Sequence, residues 1–275
     1  MLLENKVCIV TGGTSGIGLG TVERFVEFGA KVVIGDIQDE RGQEIAERLG
    51  SNVRYVHADV TRESDIEALV ASAVSHFGRL DVLYNNAGAG GDRSAMTEIG
   101  VEGFDRSMAL LSSSVLLGHK YAARQFIAQG GGGSIISTAS AAGVQGGWSA
   151  AAYTVAKHAV VGIVRQAVAE LAPHGIRSNA ISPGVIATPI MTQTFGVPME
   201  KNERFLDFLS DRIGHTQPIG RLGRPSDVAG VAVFLASDLS AYVTGANIPV
   251  DGGATAVTQG SFATDVIEAA GDFPA

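Results

Sequence analysis

Short β-branched runs alternating with longer helical stretches constrain this chain more than any other feature. Val7–Val10, Lys31–Gly35, Val53–His57, Val82–Tyr84, Ser134–Ser137, Arg177–Ile181 and Ile248–Val250 read as strands. Between them Ile17–Phe28, Glu40–Leu49, Glu63–Phe77, Phe104–Ala128, Ala151–Leu171 and Pro225–Leu235 read as helices. Repeated β-α-β units with right-handed crossovers predict an α/β fold: a doubly wound parallel sheet with helices on both faces. No linker divides it, so residues 1–253 are expected to form a single domain, followed by a C-terminal extension at 254–275.

The rhythm breaks twice. The tract Gly130–Gly133 falls between a helix and a strand and reads as a flexible turn. Residues 189–217 are a long insertion between a strand end and the next helix, a length typical of lids and binding segments. It carries Met191, Phe195, Val197, Met199, Phe205, Phe208 and Leu209, enough apolar surface to cover a ligand.

Composition excludes several classes. A net charge of −8 lacks the basic face of a nucleic-acid binder. The single cysteine, Cys8, lies inside a strand run, so neither a disulfide framework nor a Cys-based zinc site is available. The six histidines are scattered without H-x-x-x-H spacing, and no metal site is expected. No run reaches the ~18 apolar residues of a membrane span. The expectation is a soluble, cytoplasmic protein acting on a small molecule, with no nucleic-acid or membrane partner.

The stretch Thr11-Gly12-Gly13-Thr14-Ser15-Gly16-Ile17-Gly18 directly follows the first strand and opens the first helix. In that context glycines allow a tight turn, and the N–H groups at the helix start can face a pyrophosphate. The second strand ends at Asp36, where a carboxylate can accept both hydroxyls of an adenosine ribose and repel a 2′-phosphate. No Lys or Arg stands at positions 12–18, or at Ile37, to attract that phosphate. The expected cofactor is NAD.

Tyr153 and Lys157 stand at i and i+4, neighbours on one helix face. A free tyrosine titrates near pH ~10, and a close cation favours its phenolate. Ser140 ends a strand run shortly before this helix, and strand C-terminal ends are where open α/β sheets bind ligands. A serine donor and a phenol flanking one oxygen suit an alcohol/carbonyl pair.

These motifs together resemble the short-chain dehydrogenase/reductase family, over about Val7 to Gly253. The residues that carry the resemblance are the glycine loop, Asp59-Val60, Asn85-Asn86-Ala87-Gly88, Ser140, Tyr153 with Lys157, Pro183-Gly184 and Asp251-Gly252-Gly253. The resemblance implies a Rossmann-type fold with Ser140, Tyr153 and Lys157 as catalytic residues. It implies that Asp59 and Val60 border the adenine, and that Asn86, Ala87 and Gly88 support the cofactor. Pro183, Gly184, Val185, Ile186 and Thr188 would hold the nicotinamide carboxamide, and Lys157 would also bond the nicotinamide ribose. Trp148 and Met191 are the further residues expected to touch substrate. The family also implies a homotetramer, with the two long helices pairing across subunits.

One position departs from the family. Leu111 stands where a catalytic asparagine is usual, in the stretch Met108-Ala109-Leu110-Leu111-Ser112-Ser113-Ser114. A leucine keeps its backbone carbonyl, so a proton relay through a water on that carbonyl can survive; alternatively a serine of 112–114 supplies a hydroxyl. The expected activity is hydride transfer between NAD(H) and a hydrophobic or cyclic secondary alcohol or ketone. The alternatives are reduction of an enoyl or quinone-like substrate, and a non-catalytic NAD-binding sensor.

Overall fold

The computed structural model describes residues 1–257. Its strands are β1 Val7–Thr11, β2 Lys31–Asp36, β3 Val53–His57, β4 Val82–Asn85, β5 Gly133–Thr138, β6 Ile176–Pro183 and β7 Asn247–Val250. Its α-helices are α1 Gly16–Glu27, α2 Asp39–Leu49, α3 Glu63–Phe77, α4 Val101–Met108, α5 Ser114–Gln129, α6 Ala151–Leu171, α7 Pro189–Thr194, α8 Asn202–Ile213 and α9 Pro225–Ala236. All seven strands are parallel, in the order β3-β2-β1-β4-β5-β6-β7. The order reverses direction between β1 and β4, the point where such sheets open a crevice at their C-terminal ends.

Every residue of β1 is buried, because side chains alternate between two covered faces. Cys8 and Val10 join Val22 and Phe25 of α1 and Val228 and Ala232 of α9. Val7 and Ile9 join Ile66 and Leu69 of α3 and Ala122 and Phe126 of α5. Cys8 is therefore a small core residue, and burial pushes its thiol pKa well up.

Two departures from the expected elements matter for the site. The long helix expected at Phe104–Ala128 is α4 and α5 joined by a π turn at Ala109–Ser113. The insertion at 189–217 is not one loop but α7 and α8 with short 3-10 turns. Thr192 Oγ1 donates to Asn202 Oδ1 at 2.7 Å, and the Phe195 and Phe205 rings meet edge to face with centroids 6.0 Å apart. No helix among the described residues is long and apolar enough to cross a membrane. The C-terminal extension expected at 254–275 lies mostly outside the described residues.

Candidate active site

The glycine loop is shaped by neighbours that leave no room for side chains. Gly12 has φ +64°, and a Cβ there would stand 2.8 Å from Ala87 Cα; at Gly18 one would stand 2.0 Å from the Gly12 carbonyl oxygen. Thr11 Oγ1 accepts the Asn86 and Ala87 N–H groups at 2.9 and 3.1 Å, and Asn86 Nδ2 donates to the Thr11 carbonyl at 3.0 Å. The Asn86-Ala87-Gly88 stretch thereby holds the loop in place. At the start of α1, Ser15 makes no side-chain cap and the first turn carries no acidic residue. The N–H groups there are left for an anion.

The remaining borders are fixed in the same way. Asp59 accepts both the N–H and the hydroxyl of Thr61, at 3.0 and 2.7 Å, bonds that lower its pKa. The segment after β6 is held from behind: Gly184 N–H donates to the Val250 carbonyl at 3.1 Å, and Ala187 N–H to that of Gly223 at 2.8 Å. A Cβ on Gly184 would stand 2.8 Å from Asp251 Cα. Asp251 in turn accepts Gly253 N–H at 2.9 Å and the Thr255 hydroxyl at 2.5 Å, which gives Asp251-Gly252-Gly253 its place in the architecture.

Ser140, Tyr153 and Lys157 converge beyond the end of β5. Ser140 Oγ accepts Ala142 N–H at 3.1 Å and caps a 3-10 turn at Ala141–Gly143. Gly143 lets that turn dock on α6, since a Cβ there would lie 2.7 Å from the Lys157 carbonyl oxygen. Lys157 Nζ donates to the Thr138 carbonyl at 2.7 Å and lies 5.5 Å from the centre of the Tyr153 ring.

The electrostatics of this trio differ from the expectation. Desolvation raises the Tyr153 pKa, with the Ser140 hydroxyl opposing the rise. Desolvation also lowers the Lys157 pKa, to about 8. At neutral pH the pair is a protonated phenol beside an ammonium, because burial outweighs the stabilisation of phenolate inferred from spacing.

The π turn brings Leu110 and Leu111 to the cleft wall. Leu111 is 1% exposed, with its Cδ2 3.1 Å from where a Cβ on Gly88 would stand. A π turn is the kind of local widening that disturbs the usual carbonyl pairing of a helix. The adjacent hydroxyls are already used: Ser112 Oγ donates to the Met108 carbonyl at 2.9 Å and Ser114 Oγ to that of Leu110 at 2.5 Å, while Ser113 is exposed.

Ser140, Tyr153 and Lys157 line one cleft of about 670 Å³ together with Leu110, Leu111 and part of the glycine loop. Of the residues singled out from sequence for cofactor, catalysis and substrate, only Thr14, Gly18 and Trp148 are not on its wall. Thr14 and Gly18 are buried behind it. Trp148 donates to Gln145 Oε1 at 3.2 Å and lines a separate pocket with Thr255, Ala256 and Val257. The sequence reading missed Gln38, Leu110, Ile190 and Gln193 on the wall. It also missed Arg93, whose guanidinium donates to the Thr194 carbonyl at 2.5 Å and stands 6.0 Å from the Phe195 ring centre. Among the described residues no cluster of His, Cys, Asp or Glu could hold a metal ion. His119 is a neutral core residue, bonded to Ser178 Oγ at 2.9 Å, with burial lowering its pKa to about 4.

A family model described as "Enoyl-(Acyl carrier protein) reductase" matches residues 12–255. The chain is 44% identical to "Momilactone A synthase" of Oryza sativa subsp. japonica over 94% of its own length and 92% of that protein's. It is 40% identical to "2,5-dichloro-2,5-cyclohexadiene-1,4-diol dehydrogenase" of Sphingobium indicum, covering 93% and 99% of the two chains. The crystal structure of levodione reductase superposes with a TM-score of 0.83 at 31% identity, covering 93% of this chain and all of that one. With this fold, these motifs and these relatives, the chain belongs to the short-chain dehydrogenase/reductase family, whose members are oxidoreductases that use NAD(P).

Proposed function

We propose that this protein is an NAD-dependent oxidoreductase that interconverts a hydrophobic, cyclic secondary alcohol and its ketone. The observation that carries the reading is the convergence of Ser140, Tyr153 and Lys157 on a cleft whose neighbouring wall is apolar. The relatives named for a cyclohexadiene-diol and for a dione support the same substrate class.

The residues present fit a dinucleotide. The space over Gly12 and at the start of α1 suits a pyrophosphate, and Asp36 on the cleft wall suits an unphosphorylated ribose. When bound, NAD(H) supplies the hydride acceptor or donor. The protein contributes proton transfer and position. Ser140 Oγ and Tyr153 Oη can both bond the substrate oxygen, as donors to a carbonyl. In the reductive direction the Tyr153 phenol passes its proton to that oxygen; in the oxidative direction Tyr153 must first release its proton to solvent, and the resulting phenolate takes one from the substrate hydroxyl. The Lys157 ammonium stabilises negative charge on the phenol as the proton leaves. Leu110, Val185, Ile190 and Met191 keep water from the reacting carbon and favour an apolar ring. The backbone carbonyl of Leu111 takes the part usually given to the asparagine's carbonyl, because the neighbouring serine hydroxyls are engaged or exposed.

The test is NADH absorbance with a panel of cyclic secondary alcohols and ketones, each with NAD(H) and NADP(H). Turnover of cyclic alcohols with NAD supports the reading, and no turnover of any member sinks it. An enoyl thioester belongs in the panel because the matching family model carries that description. A homotetramer is part of the same proposal, supported by exposed Leu116 and Ile127 on α5 and Val155 on α6. Light scattering that gives a monomer at micromolar concentration would contradict it.

A further inference from the structure

Thr14 is 0% exposed and does not reach the cleft that most of the glycine loop lines. Its hydroxyl nevertheless belongs to a chain of hydrogen bonds that ends on the cleft wall. Asp36 Oδ2 accepts Thr14 Oγ1 at 2.7 Å and Thr14 N–H at 3.1 Å. Asp36 Oδ1 accepts the N–H groups of Ile37 and Gln38 at 2.8 and 3.2 Å, with Gln38 Nε2 at 3.5 Å. Gln38 Nε2 donates to Thr14 Oγ1 at 2.7 Å. The directions are forced by chemistry. A carboxylate only accepts, so the Thr14 proton goes to Asp36 and the second proton between Gln38 and Thr14 must come from the amide nitrogen.

Each of these donors points inward, at Asp36 or Thr14. Asp36, Ile37 and Gln38 line the cleft, where this unit presents acceptor groups: the Asp36 carboxylate, whose lone pairs are shared between these donors and any ligand, and the Gln38 Oε1. Lys157 is the one cationic side chain on the wall among the described residues, and its ammonium bonds the end of β5, three strands from β2 in the sheet.

We propose that Thr14 and Gln38 act with Asp36 as one acceptor-only unit that sets the choice between NAD and NADP. Thr14 is a positioning residue, and Gln38 a specificity-determining one. This rests on the NAD reading above. A ribose with free 2′ and 3′ hydroxyls brings donors to acceptors. A 2′-phosphate brings acceptors and negative charge, and meets two acceptor groups with no donor turned outward. Asp36 is 7% exposed and cannot swing aside cheaply, because both its oxygens would leave charge-assisted bonds in a buried setting. Selectivity is therefore written partly into the buried loop position 14, which touches no ligand.

The test is direct binding of NADH and NADPH, followed by fluorescence, to wild type, Thr14→Val, Thr14→Ser and Gln38→Met. Thr14→Val keeps the shape and removes the hydroxyl. It should weaken NADH about tenfold without weakening NADPH, and Thr14→Ser should restore NADH affinity to within about threefold. Gln38 is exposed, so Gln38→Met does not threaten the fold; it should narrow the NADH-to-NADPH preference about threefold. Melting temperatures check that each variant is folded, and if Thr14→Val is not, Gln38→Met decides. A wild-type preference for NADH that both variants retain in full would overturn the proposal. A wild type without any preference would instead overturn the NAD reading on which it rests.

Discussion

Replacing Lys157 by methionine should change how stability depends on pH, and the size of the change follows from burial. The side chain is 4% exposed, and desolvation lowers its pKa from 10.5 to about 8. Between those two values the unfolded chain binds the proton and the folded one does not. Stability therefore rises with pH across that window, and the penalty is fully present only below it. At pH 7.5 the buried charge costs about 3 kcal/mol, and at pH 9.5 about 1 kcal/mol. Methionine keeps the length and removes the titration. It also deprives the Thr138 carbonyl of a donor, a loss of about 1–3 kcal/mol that does not vary with pH. The difference between wild type and Lys157→Met isolates the titration, since all other groups cancel. Urea unfolding at both pH values and one protein concentration should show the wild type gaining about 2 kcal/mol on the variant from pH 7.5 to 9.5. A gap that stays constant would refute the argument that burial, rather than an ion pair, governs this lysine. Turnover and NADH affinity should fall in the variant at pH 7.5, where the wild type carries the ammonium, so the site holds that charge against stability.

Further outcomes follow from the same geometry. Leu111→Asn should change turnover by less than about tenfold if the backbone carbonyl serves the relay. Ser112→Ala and Ser114→Ala should be similarly mild, because those hydroxyls bond helix carbonyls; a loss of about a hundredfold in either would refute this. Arg93→Ala should raise the substrate KM about tenfold and leave NADH affinity unchanged, since it frees α7 at Thr194 without touching the nucleotide end; an unchanged KM would show that the contact does not place the lid. For ketone reduction, kcat/KM should fall as pH rises above about 8, where Lys157 loses its proton; a flat profile to pH 9.5 would contradict that assignment.

Much of this architecture is legible in the sequence because local and global preferences agree. β1 reads as a strand from Val7-Cys8-Ile9-Val10 alone, and its position before Gly12 places the crevice. Tyr153 and Lys157 are visible as a pair because helical spacing fixes their separation. Three features escape such reading, each for a tertiary reason. α8 is hidden in an apparent loop although Phe205, Phe208, Leu209 and Ile213 recur at helical spacing, because none of its residues is buried and the stripe meets no core. Thr14 looks like one more loop residue, yet its partners Asp36 and Gln38 come from the next strand end. Trp148 is near Ser140 and Tyr153 in sequence, but the turn at Gln145–Gly147 carries it to a different pocket. The raised Tyr153 pKa is invisible for the same reason, since desolvation depends on what surrounds the ring.

The proposed NAD-linked alcohol/ketone exchange depends on the Tyr153 phenol as its proton carrier. Tyr153→Phe removes one oxygen and keeps the ring, so its effect on turnover, set beside NADH affinity measured on the same preparation, isolates the proton transfer. The variant should lose nearly all turnover on whichever cyclic alcohol the wild type oxidises best, with NADH affinity within about twofold of wild type. A Tyr153→Phe enzyme that keeps most of its turnover would contradict that role.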